Sequence, residues 1–201
     1  MLPRPTVELV EAECKVFDKE NWLAEEALGQ LRAHFPANTD IRHVLLKVLV
    51  LNKLYGTMIR DIDVEIVAAH IVGLAKDHLL DQLLDQGSLE AVFLITDCPN
   101  VKEYLSFASK FCSWHNPAAF PIYDGNVREC LYFYQKQVSF AEFRSKNDLY
   151  YYRKLFDAVV AFRDHYGLIS LSFKQLDKFM YLSGGRILES RRNKNTQASA
   201  M

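Results

Sequence analysis

The chain has 201 residues, half of them hydrophobic, which fits one domain of ordinary size with a substantial core and excludes disorder for its bulk. Its 24 basic residues against 25 acidic ones give a formal charge of -1, which excludes the all-over positive coat that many nonspecific nucleic-acid binders present. No apolar run reaches membrane-spanning length, since 45–51 is interrupted at Lys47 and closed by Asn52 and Lys53, and the amino terminus lacks a signal-peptide core; the expectation is a cytoplasmic protein without a membrane partner.

Thr6 is placed to cap a first helix running to Phe17, and Asp18 a second that turns Trp22, Leu23, Ala27, Leu28 and Leu31 to the core until Pro36 stops it. Asp40 caps a third, apolar almost all round through Val44, Leu45, Val48, Leu49, Leu51 and Leu54 and therefore central, with Gly56 as its stop. Residues 61–74, 77–84 and 88–96 continue the helical pattern, with His70 read as a satisfied core or boundary histidine, and 97–100 form a loop. Leu105, Ala108, Phe111 and Cys112 then mark one buried face of a short helix over 105–114. Asn116 and Pro117 end it, Pro121 keeps the chain extended, and Asp124 caps a further helix whose inward stripe is Val127, Leu131 and Tyr134.

Beyond that helix, 139–144 reads as one short helical turn, and Asp148 caps a longer helix to Tyr166 that Gly167 ends. Tyr150, Tyr151 and Tyr152 follow one another and must point in different directions, so at least one is exposed. Ser172 and Gln175 form a capping box for the last helix, which Gly184 and Gly185 terminate. The expectation is all-α: roughly nine or ten helices in a single domain over 1–185, in one lobe or two, a helix-hairpin-helix-like central unit at 101–135, and a polar, basic, disordered tail over 186–201.

Cys14, Cys98, Cys112 and Cys130 lack close pairing, so reduced thiols are expected. Cys112 and His115 make a C-x-x-H pair that Cys98 and Cys130 would have to complete as a zinc site, but such sites usually come as two tight pairs, and neither metal nor cofactor is expected.

The segments SFASK (106–110) and PIYDGNVR (121–128) resemble the helix-hairpin-helix DNA glycosylase superfamily, most of all its oxoguanine-type branch. The resemblance implies DNA as partner and base excision, with a Schiff-base lyase step, as activity. It puts Lys110 in the place of the lysine nucleophile and Asp124 in that of the essential aspartate. Ser106, Ala108 and Ser109 stand where the hairpin has two glycines and a small residue, Tyr123 is an addition, and the interval from Lys110 to Asp124 is shorter than usual. Asn52, ending the third helix, matches the polar residues that enter DNA near the extruded nucleotide, while Lys102, Lys110, Arg128 and the tail cations Arg186, Arg191, Arg192 and Lys194 are the expected phosphate contacts. In such chemistry the carboxylate offsets the positive charge developing on the deoxyribose while the amine attacks the anomeric carbon.

A competing reading keeps the scaffold without the chemistry, as a helical module binding DNA or protein; the missing hairpin glycines and the acidic balance favour it. In that case Lys110 is a solvated surface lysine, Asp124 only a helix cap, and Asn52 a partner of nearby backbone.

Overall fold

The computed structural model describes residues 2–199, side chains excepted at 77, 195 and 197–199. Among these residues there are nine α-helices, a few short 3-10 turns and no strand, so the chain is all-helical as its apolar periodicities require. The helices are α1 (Val7–His34), α2 (Ile41–Leu54), α3 (Val64–Leu74), α4 (Leu79–Gln86), α5 (Glu90–Thr96), α6 (Leu105–His115), α7 (Gly125–Val138), α8 (Tyr152–His165) and α9 (Phe173–Ser199). They form two compact units, one of residues 21–122 and one of residues 1–20 with 123–201. The chain passes from one unit to the other within α1 and again between Ile122 and Tyr123.

In the unit 21–122, α2 packs on α3 and α5 on α6. Asp40 caps α2 as expected, its Oδ1 accepting from the Arg42 amide at 2.9 Å, and Gly56 follows the helix in left-handed geometry. Every residue of α6 from Phe107 to Trp114 is buried. The second half of α1 is tied to its end: Trp114 Nε1 donates to the Leu28 carbonyl at 3.1 Å, and Arg32 donates to the Trp114 carbonyl at 2.7 Å. A guanidinium there complements the free carbonyls at a helix carboxyl end. His70 is satisfied as a boundary histidine is, its Nε2 donating to the Leu94 carbonyl at 2.8 Å.

The other unit is built on the crossing of α7 and α9. A Cβ added at Gly184 would lie 2.0 Å from the Asn126 carbonyl oxygen, so the two helix backbones touch where any other residue would hold them apart. The first half of α1 lies along α9: Arg186 forms a paired contact with Glu13 at 2.7 and 2.8 Å, Lys178 meets Asp18, and the Phe17 and Tyr181 rings sit edge to face at 6.1 Å. Glu129 on α7 is buried and takes Lys146 and Arg191, the latter at 2.6 Å. Burial alone would raise its pKa, but these two cations outweigh burial and hold the carboxyl below its ordinary value.

Several sequence expectations change, among them the inward place of Trp22 and Leu23, which are exposed. The first two helices are one, because 18–21 contains neither Gly nor Pro and the Asp18 carboxylate is engaged by Lys178 rather than by the amides of a new turn. Residues 139–144 are not helical, since buried Gln135 takes this backbone for itself: Nε2 donates to the carbonyls of Ala141 and Phe143 at 2.7 and 2.9 Å, and Oε1 accepts from the Ala141 amide at 3.0 Å. Finally, Gly184 and Gly185 do not end the last helix. They lie inside α9, which runs on to Ser199 where a disordered tail was expected; residues 200 and 201 lie outside the described residues.

Asp148 completes a capping box with Ser145 for the short 3-10 turn at Lys146–Tyr150, and α8 starts only at Tyr152. Ser172 and Gln175 cap α9 reciprocally as their spacing predicts, with Gln175 Oε1 2.9 Å from the Ser172 amide.

The two glycines of α9 should respond in opposite directions. Gly184→Ala places a methyl against backbone and should cost about 3 kcal/mol, the upper end of overpacking. Gly185→Ala meets only the Asn126 side chain at 3.5 Å and should gain up to about 1 kcal/mol from helix propensity, both read by urea denaturation. Equal effects would mean that α7 and α9 do not touch at Gly184.

Candidate functional site

Lys110 is not a surface lysine. It is 6% exposed, within the wholly buried run of α6, and its Nζ donates to the Tyr55 carbonyl at the carboxyl end of α2, 3.0 Å away. Burying an ammonium stem demands such a partner. Ser109, beside it, is fully buried and its hydroxyl donates to the Ser106 carbonyl at 3.1 Å, so Ser109 is turned into its own helix; Ser106 is half-buried on the first turn. Lys102 is exposed, with its amine 5.0 Å from the centre of the Tyr104 ring.

Asn52 lies on the last turn of α2, three residues before the carbonyl that holds Lys110. Its amide is spent on the loop that follows: Nδ2 donates to the Ile59 carbonyl at 3.0 Å, and Oδ1 accepts from the Ile59 amide at 2.9 Å and the Thr57 hydroxyl at 2.8 Å. Asn52 thus clamps residues 57–59 in the way a local backbone partner does.

Asp124 and Arg128 belong to the other unit. Asp124 has extended backbone geometry and its Oδ1 accepts from the Asn126 amide at 2.8 Å, the cap predicted from sequence. The Arg128 guanidinium lies 4.0 Å from the centre of the Tyr150 ring and 5.2 Å from that of Tyr123, with Nε and Nη1 buried against them and without hydrogen-bond partners. Of the tail cations, Arg186 and Arg191 are taken by Glu13 and Glu129, while Arg192 and Lys194 are exposed.

One polar cluster in the unit 21–122 has no counterpart in the sequence reading. Lys47 is fully buried on α2, donating to the Ala37 carbonyl at 2.9 Å and to Asn38 Oδ1 at 2.8 Å. Asn38, equally buried, passes the connection on to Asp81 Oδ1 at 2.6 Å. Asp81 and His115 line a cleft of about 270 Å³ with Pro36, Ala37, Leu84 and Asp85. Burial, with Lys47 and Arg32 nearby, pulls the His115 imidazole down to about 3, so it is neutral near pH 7, and its Nε2 is buried without a partner. The available signal was Lys47 itself, a lone cation inside a helix apolar almost all round.

Burial also pulls the Lys47 amine from its ordinary 10.5 to about 8, with Asp81 opposing the shift. Between these values the unfolded chain keeps a proton that the folded chain has released, so the cost of the buried charge is fully present below about 8 and fades as pH rises to 10.5. Lys47→Met, which strands Asn38 and two carbonyls, should lower stability by about 1–3 kcal/mol at neutral pH. The gap to wild type should widen between pH 8 and 10 in urea melts; a constant gap would mean that Lys47 does not titrate in that window.

Comparison with known proteins gives relatives rather than chemistry. A protein of Haemophilus influenzae (strain KW20 / Rd), described as uncharacterized, is 33% identical over 190 residues, covering 92% of this chain and 87% of that protein. No solved structure matches. The HI_0787_N family model, described as an N-terminal domain, matches residues 9–119, a span that includes Asn52, Lys47 and Lys110 and stops before Asp124. This match over more than half of the residues, with the Haemophilus relative aligned over nearly the whole chain, means that the chain belongs to the HI_0787_N family.

Proposed function

We propose that the chain is a DNA glycosylase-type protein that excises a base through Lys110 and Asp124. The observation that carries the reading is the burial of Lys110, an amine held on the Tyr55 carbonyl inside a core helix, where a lysine kept only for solubility has no reason to be. In this reading the base leaves as Asp124 offsets the charge developing on the deoxyribose. Lys110 gives up a proton, releases the Tyr55 carbonyl and bonds to the anomeric carbon as the bond to the base breaks. The sugar ring then opens, its oxygen taking the second proton of the amine, to give a Schiff base from which elimination of the 3′ phosphate cleaves the strand.

The internal engagement of Asn52 and Ser109 favours a second reading, a helical scaffold that binds DNA without acting on it. Duplexes carrying oxidised or abasic sites, with borohydride present, separate the two. Base excision predicts a covalent adduct that Lys110→Ala abolishes, and base release that Asp124→Asn lowers about 100-fold or more while binding persists. Asparagine still caps α7, so that variant should fold normally. Binding at low salt with neither release nor adduct would leave the scaffold reading in its place.

A further inference from the structure

From Val64 to Leu74 the one carboxylate of α3 is Glu65 and there is no lysine or arginine, and a helix so apolar all round is ordinarily buried all round. Here Val64, Val67, Ala68 and Ile71 face inward, while Ile66, Ala69 and Gly73 stand open on the opposite side. Ile62, on the 3-10 turn that leads into the helix, precedes Ile66 by one turn. It is 74% exposed, and Ile66 39%. Steps of four, three and four residues keep these four on one stripe.

Gly73 has no use within its own unit. A Cβ added there meets nothing within 4 Å, and its φ is not left-handed, so neither a close contact nor backbone geometry calls for glycine at a helical position that it weakens. The stripe is, however, complementary to itself. Ile62 and Gly73, and likewise Ile66 and Ala69, lie equally far on either side of the point between Val67 and Ala68. Two copies of α3 laid antiparallel about a two-fold axis through that point set each isoleucine against a small residue, Ile62 on Gly73 of the second copy and Ile66 on its Ala69. Charge agrees, because the stripe carries no ionised side chain and suits a face that carries none either. A charged peptide finds nothing there to pair with, and a membrane surface calls for the lysines and arginines that α3 lacks.

We infer that α3 is a self-association surface on which two copies of the chain pair antiparallel through Ile62, Ile66, Ala69 and Gly73. The small residues let the two helix axes approach to about 8 Å, the short end of helix packing. Four residues are far fewer than the roughly 20–30 a side of a stable complex, so the pair forms at micromolar concentrations or above and separates on dilution. Association of this kind goes beyond base excision and DNA binding and depends on neither.

Analytical ultracentrifugation of the full chain from roughly 1 µM to 1 mM tests it, with the mass expected to rise from monomer towards dimer. Gly73→Leu adds its side chain in open space and favours the helix, so at dilute concentration it should melt no lower than wild type. It fills the slot for Ile62 of the second copy, however, and should weaken association about tenfold or more. Ile62→Ala combined with Gly73→Leu exchanges large for small across the pairing and should bring association back to within about threefold of wild type. Ala69→Glu, a change at an exposed position, should abolish association by placing two carboxylates at the seam. A wild-type chain that stays monomeric at the highest concentration, Gly73→Leu or Ala69→Glu associating like wild type, or a double variant no better than Gly73→Leu would overturn the surface.

Discussion

A lysine amine with no access to water fixes the unit 21–122 more firmly than any apolar contact in it. Lys47 stands on α2, yet its donors go to the turn after α1, and Asn38 carries the connection to Asp81 on α4. Apolar packing tolerates small slips of one helix on another, because dispersion and water exclusion have little direction. A buried ammonium does not, since each donor needs its oxygen in place and losing one leaves a charge short of a partner in a medium of low dielectric. The turn and the two helices are therefore held in one register. The neutral state of His115 follows from the same arrangement, since burial and the nearby positive charges both disfavour a second proton there.

The unit of residues 1–20 and 123–201 depends on the opposite device, the absence of a side chain. Gly184 lets the α7 and α9 backbones meet, and the charged groups are arranged around that crossing: Glu129 draws in Lys146 and Arg191, and Glu13 draws in Arg186. These pairs satisfy charges more than they add stability, as surface ion pairs are worth little and the buried Glu129 must first be desolvated. They also account for cations that, read from the sequence, looked free to meet phosphate.

Much of this was legible from local rules. Apolar stripes gave the helices, and Asp40, Asp124 and the Ser172 and Gln175 box cap their helices as their spacing predicts. What local rules miss is what a distant partner decides. Asp18 resembles a cap until Lys178 occupies it, Gly184 resembles a stop until α7 is beside it, and the 139–144 segment resembles a helical turn until Gln135 takes its backbone. The site residues divide along the same line. The cap at Asp124 is local and was read directly, whereas the burial of Lys110 and the loop-clamping role of Asn52 depend on residues brought close by folding.

The path of the chain through its two units has a consequence for biosynthesis. Residues 21–122 are continuous in the chain and can build their own compact unit once they have left the ribosome. The stretch before them does not: Val10 and Cys14 end up buried, and the Cys14 thiol lies 3.6 Å from the Gln175 carbonyl on α9, more than 150 residues downstream. At ordinary translation rates the start of α1 waits on the order of ten seconds or more for that helix to be made. The first half of α1 is thus made early and buried late, and through that interval its apolar face depends on a chaperone's cover.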